Sequence, residues 1–290
     1  MSQAIIAPIS PRRRRTDRTM RAVMGACTLI ALVPLVLILY YLFIKAFDAW
    51  STSFFTTDPT GNFLGNPGGI KSAILGTIEI VALASAIAVP IGVGVAIWLV
   101  EYGRESWFAH TVRFFVDVLT GVPSIIFGLF IYIVLVLANT GGSGFAGWKG
   151  SAALALLMLP VVTRSAEVVL TLVPDSLREG ALALGAPRWR VVARIVLPTA
   201  LPGLITGILL AIARAAGETA PLLYTATIVQ GTTLNLNGPM NSLPAQIFSD
   251  VGQAQSNLQA RAWGAATTLV VMILILTTVA RIVSRRSRLT

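Results

Sequence analysis

Six apolar runs, at approximately 22–46, 71–99, 112–138, 151–170, 199–220 and 262–283, constrain this chain more than any other feature of it. A helix rises 1.5 Å per residue, so about 20 residues cross the roughly 30 Å of hydrocarbon in a bilayer. Inside that hydrocarbon every backbone polar group must find its partner within the protein, which leaves only helices and closed barrels as spanning structures. Few windows alternate apolar and polar residues in the manner of strands. The expectation is therefore an all-α, polytopic membrane protein with six transmembrane helices. Charged residues make up 12% of the 290 positions, against about 25% in soluble chains.

The formal charge of +10 is distributed as topology. Arg12 to Arg15, Arg18 and Arg21 precede the first run, Arg104 and Arg113 follow the second, and Arg178, Arg188, Arg190 and Arg194 follow the fourth. Arg281, Arg285, Arg286 and Arg288 follow the sixth, whereas the alternate loops carry only Lys45, Lys71, Lys149 and Arg261. By the positive-inside rule both ends are cytoplasmic, in agreement with an even number of spans, and no nucleic-acid partner is implied. The first apolar run exceeds the 7–15 residues of a signal-peptide core, so it reads as a retained span. Residues 1–18 read as a flexible basic tail and residues 19–290 as one transmembrane domain. Cys27 stands alone inside the first run, leaving no internal disulfide and a packing role. His110 is the single histidine, and no metal-ligand pair, P-loop or nucleophile–base set appears. No cofactor, metal or catalytic residue is expected.

The loop of residues 174–198 has a local logic of its own. Ser176 precedes Glu179 by three positions, the spacing of an N-cap and its capping-box partner. Gly180, Ala181 and Ala183 leave one side of a short helix open to close approach. Gly185 suits the left-handed residue that ends a helix, and Pro187 forbids its continuation. A short, exposed, capped helix followed by a turn is expected, leading to Ile195, Leu197 and Pro198. Elsewhere Pro90, Pro123, Pro160 and Pro202 fall in or beside apolar runs. They are expected to be matters of packing, except at Gly121-Val122-Pro123-Ser124, where a broken, moving helix stands level with that reading.

Charges within the spans are expensive and face a partner or a cavity. In Arg214-Ala215-Ala216-Gly217-Glu218-Thr219, Arg214 lies roughly 24 Å along the helix from Pro198, with Glu218 four residues on and hence on the same face. Two readings stand side by side: a mutual salt bridge, or a guanidinium fork offered to an oxyanion. In the second, Glu218 accepts the proton that hydrogen phosphate still carries and sulfate lacks. Glu79, on a face with Ala82 and Ala86, either lines a cavity or makes a structural hydrogen bond. Arg164 and Glu167, near the inner end of the fourth run, snorkel by default. Residues 222–260 form an outward connection rich in Asn, Gln, Ser, Thr and Gly with few charges, with 244–260 a short interfacial helix.

The spacing Glu179-x-Ala181, three residues, Gly185, nine residues, Ile195-x-Leu197-Pro198 resembles the coupling loop of bacterial ABC importer permeases, with Gly180 where alanine is usual. From Pro174 to Leu223, and most closely over Ala213 to Pro221, the chain is similar to the A-type permease family of the bacterial phosphate-specific transport system. Gly121 to Gly128 and Leu243 to Ile247 are similar as well. The resemblance implies a type I ABC importer permease architecture without a nucleotide site of its own. It implies a separate ATP-binding cassette ATPase dimer, a second homologous permease, an extracytoplasmic phosphate-binding protein and inorganic phosphate as cargo, in the cytoplasmic membrane of a bacterium. A permease for another oxyanion or small solute, or an ATP-independent channel or secondary transporter, are the alternatives.

Overall fold

The computed structural model of the protein describes residues 11–47, 49–62, 64–139 and 144–286. Its helices are α1 (Pro11–Phe47), α2 (Thr52–Thr56), α3 (Lys71–Ile97), α4 (Trp107–Gly121), α5 (Ser124–Ile131) and α6 (Gly147–Thr171). They continue with α7 (Asp175–Ala183), α8 (Arg188–Val191), α9 (Leu197–Ala216), α10 (Ala220–Thr225), α11 (Leu243–Val251) and α12 (Ser256–Arg286). One-turn π segments extend α3 (Trp98–Tyr102) and α5 (Tyr132–Leu137) and join α8 to α9 (Val192–Val196). Among the described residues the only pairing of extended chain is an isolated bridge between Pro59 and Gly68.

Five helices are long and apolar enough to span a membrane. The third expected span is two helices, Trp107–Gly121 and Ser124–Leu137, bent by 100°. The bend follows from Pro123, which bars the α conformation to the residue before it, and Val122 is extended at φ −73°, ψ 129°. The fifth expected span also differs. Its helix ends at Ala216, and Gly217 to Thr219 separate it from α10. The expected flexible tail is helical from Pro11 onward, with Asp17 and Arg21 paired one turn apart; its residues 1–10 lie outside the described residues. Cys27 is exposed on α1 rather than packed in the core.

α6 is the centre of the bundle, with 61% of its apolar window buried, whereas the window of α1 buries nothing. Glycines set how closely the neighbours approach α6. A side chain at Gly92 of α3 would meet Val162, and side chains at Gly203 and Gly207 of α9 would meet Val169 and Ser165. Small residues spaced four apart let membrane helices approach backbone to backbone, where dispersion contacts supply the attraction. α3, α6 and α9 run through Pro90, Pro160 and Pro202 without ending, so these prolines are accommodated as packing. At the end of the bundle away from α7, α11 is fixed by a buried polar chain. Asp250 accepts from Arg261 at 2.7 and 2.8 Å and from Gln246 at 2.9 Å, and Gln246 accepts from Asn241 at 2.8 Å. The expected interfacial helix of 244–260 is thus α11 alone, and residues from Ser256 belong to the last span.

Candidate docking helix and intramembrane charges

α7 begins one residue before the expected cap. Pro174 occupies the cap position at φ −60°, ψ 136°, and no side chain caps the helix. Ser176 is therefore inside the first turn, and Glu179 is too far along to reach back, so the capping box does not form. The reason lies in Asp175. As the first helical residue it pairs with Arg178 at 3.1 Å, one turn on, and with Arg104 at 3.1 Å. A carboxylate there also complements the helix dipole.

The far end of α7 closes through its backbone. Gly185 is left-handed at φ +81°. Its N–H donates to the Leu182 carbonyl at 2.9 Å, and that of Ala186 donates to Ala181 at 3.2 Å, the paired bonds of a Schellman turn. Ala181 is buried in a cluster with Val191, Val196, Ala200 and Leu204, against which Ile195 and Leu197 also pack. This seats α7 against α8 and the π turn before α9, at the end of the bundle where α3 and α6 finish. Pro198 is exposed in the first turn of α9. The opposite side of the α7 region faces out: Ser176, Glu179, Gly180 and Ala183 are exposed, Leu184 is 90% exposed and Trp189 is 59% exposed. A Cβ added at Gly180 would meet nothing within 4 Å.

Sequence reasoning missed Arg178. Its side chain is 8% exposed and that of Glu101, its partner, 9%. Nothing local to Arg178 announces that partner, 77 positions earlier. The Asp175–Arg178 spacing was the one available signal.

Within the membrane the predicted residues are not brought into one site. Arg214 Nε lies 3.6 Å from Glu218 Oε1, with side chains 51% and 17% exposed. The pair therefore straddles the end of α9, and the guanidinium keeps most of its donors free. Thr219 is the first cap of α10, whose Pro221 lies against Gly128 of α5. Gly207 packs on Ser165, so Arg214 stands roughly 10 Å further from α7 than Arg164 at 1.5 Å per residue. Arg164 pairs with Glu167 at 3.0 Å and approaches Asp117 at 3.7 Å, while Glu167 is buried and accepts from Arg113 at 2.6 Å. Glu167 thus takes two guanidinium partners instead of snorkelling. Glu79 is partly buried, its Oε2 atom is shielded, and it has no hydrogen-bond partner among the described residues. Ala82 and Ala86 are exposed. Val81, Ile212 and Ala216 line one apolar cavity, which places Glu79 near the depth of Arg214. No group of three or more potential metal ligands occurs among the described residues.

A glycine-packed bundle of membrane-length helices with one short, exposed helix at its end defines a polytopic membrane protein. The sequence model of the binding-protein-dependent transport system inner membrane component family matches residues 88–289, and the chain belongs to that family. It is 40% identical to the phosphate transport system permease protein PstA of Yersinia pestis, covering 95% of this chain and 92% of that one. The PstA of Mycobacterium leprae is 40% identical over 93% of this chain and 88% of its own. Among solved structures, a bacterial alginate ABC transporter chain superposes with a TM-score of 0.62 at 14% identity, over 93% of each chain. A chain of the MetNI methionine ABC transporter gives 0.57 at 21% identity over 74% of this chain. Those two likenesses establish the fold, that of an ABC importer permease.

Proposed function

We propose that the protein is the transmembrane permease subunit of an ATP-driven, binding-protein-dependent importer of inorganic phosphate. The observation that carries the cargo is the 40% identity to a phosphate transport permease over 95% of the chain. The geometry supports it with a guanidinium at the outer end of α9 that is half-exposed and only loosely held by Glu218. An arginine fork matches phosphate oxygens in pairs and stays charged at any physiological pH. Glu218 accepts a hydrogen bond from the O–H of hydrogen phosphate, a donor that sulfate lacks. Thr219, Arg164 and Glu79 are further candidates for contact along the path.

ATP is hydrolysed elsewhere, by a dimer of ATP-binding cassette subunits. One docks on α7, where the exposed Glu179, Gly180 and Leu184 form a knob stiffened by the Schellman turn at Gly185. A second, homologous permease completes the path, a binding protein delivers phosphate from outside, and both chain ends lie in the cytoplasm. The test is radiolabelled phosphate uptake at low concentration in cells lacking this chain. Rescue by the intact protein, blocked by arsenate but not sulfate and lost on ATP depletion, is expected. Rescue that survives ATP depletion while the ion gradient is held overturns the ATP-driven reading. Uptake of another solute in place of phosphate overturns the cargo.

A further inference from the structure

The C-terminal end of α3 is tied to α7 by more than chain connectivity requires. Glu101, in the π turn that ends α3, accepts from Arg178 Nε at 3.0 Å and lies 2.9 Å from its second terminal nitrogen. The other terminal nitrogen donates to the Val173 carbonyl at 2.5 Å and to Asp175 at 3.1 Å. The second terminal nitrogen also donates to the Leu170 carbonyl at 2.9 Å. One buried guanidinium therefore joins three elements: the last turn of α6, α7 itself and the end of α3.

Arg104 adds a second strap, donating to the Val100 carbonyl at 3.0 Å and to Asp175 at 3.1 Å. On the other side of the same π turn, Arg113 of α4 donates to the carbonyls of Leu99 at 3.1 Å and Arg104 at 3.0 Å. Charge-assisted forks of this kind hold a fixed orientation, because rotation breaks several bonds together. α8, the π turn after it and the start of α9 meet α7 through the apolar cluster that holds Ala181, Val191, Val196 and Ala200. Such contacts are non-directional and tolerate sliding.

We propose that the Arg178–Glu101 pair is the transmission element of this permease. It makes α7 and the inner end of α3 one body, so that a displacement of the docking helix reaches α3 first and passes to α4 through Arg113. Arg178 and Glu101 are positioning residues: neither touches the cargo. The inference rests on the reading of α7 as the surface that meets the ATPase.

The experiment uses the whole transporter, reconstituted with its ATPase, companion permease and binding protein, carrying Cys27→Ser. Spin labels are placed at Ser176→Cys on α7 and Glu105→Cys just beyond α3, both exposed in the structure. The label-to-label distance is expected to be the same in the nucleotide-free and ATP-trapped states. With Glu101→Gln, which keeps size and an acceptor but removes the charge, the two states are expected to diverge. Phosphate imported per ATP is then expected to fall about tenfold, within the usual range of coupling between sites, while the ATPase stays bound. A distance that changes between states in the transporter with Glu101 intact overturns the proposal without recourse to any variant. A Glu101→Gln transporter with a fixed distance and full phosphate yield per ATP overturns it too. If the transporter with Glu101 intact imports no phosphate at all, the proposed function fails, and this inference with it.

Discussion

The charges at the end of the molecule that carries α7 and those nearer its opposite end are held in opposite ways. At the α7 end, Arg178 shares Glu101, Asp175 and two carbonyls, and Arg113 shares Glu167 and two more. Toward the other end, Arg214 has a single partner at 3.6 Å and Glu79 an oxygen with none among the described residues. Burying an ion is tolerated only when its partners are complete, and the groups at the α7 end meet that condition. Groups left short of partners retain bonding capacity for something that arrives later. The difference separates charges whose partners are complete from charges that keep bonding capacity, although the sequence shows both sets alike as arginines and glutamates.

The sharpest way to break this comparison is to remove one residue of each kind. Arg178→Ala leaves Glu101 buried and unpaired, and loss of one member of such a pair costs about 3–5 kcal/mol. The expected outcome is a severe fall in folded protein in the membrane, read by thermal unfolding in detergent. Arg214→Ala should leave that unfolding profile in place and lower phosphate uptake by about 10–100-fold, as expected for loss of hydrogen bonds to a charged group. If the two variants behave alike, the distinction between saturated and unsaturated charges fails. Glu218→Gln tests the smaller claim that a carboxylate acceptor for the phosphate O–H sits beside the anion. A few-fold relaxation of the preference for phosphate over sulfate is expected, measured by competition, and an unchanged preference counts against that role. The mildest variant is Gly180→Ala. With open space at that position, it should stabilise α7 by up to about 1 kcal/mol and leave uptake intact.

Hydropathy made the bundle legible, because length and apolarity alone set what can cross a bilayer. It did not reveal that the run from 199 to 220 stops at Ala216, since a lone glycine is tolerated inside a membrane helix and breaks it only in context. Pro123 could be read as a break, but not the 100° angle, which depends on α5 packing against α10. The helix stop at Gly185 was legible because a left-handed residue is a local requirement. The start was not, because Asp175 takes its partners from Arg104 and Arg178, and the pairing of Arg178 with Glu101 is a product of the tertiary fold. The Arg214–Glu218 neighbourhood was legible from spacing, whereas how tightly the two would hold each other was not.

The bend after Gly121 also bears on how the chain is made. Trp107–Gly121 and Ser124–Leu137 are 15 and 14 residues long, each short of the ~20 that a single crossing takes. The second arm rests its Gly128 on Pro221, a residue the ribosome adds long after both arms have emerged. Until then the second arm lacks the surface that seats Gly128, whereas Arg113 of the first arm already has the Leu99 and Arg104 carbonyls to hold it. Synthesis therefore contains an interval, from the appearance of Leu137 to that of Pro221, in which one arm of the bend is anchored and the other still awaits part of its seat.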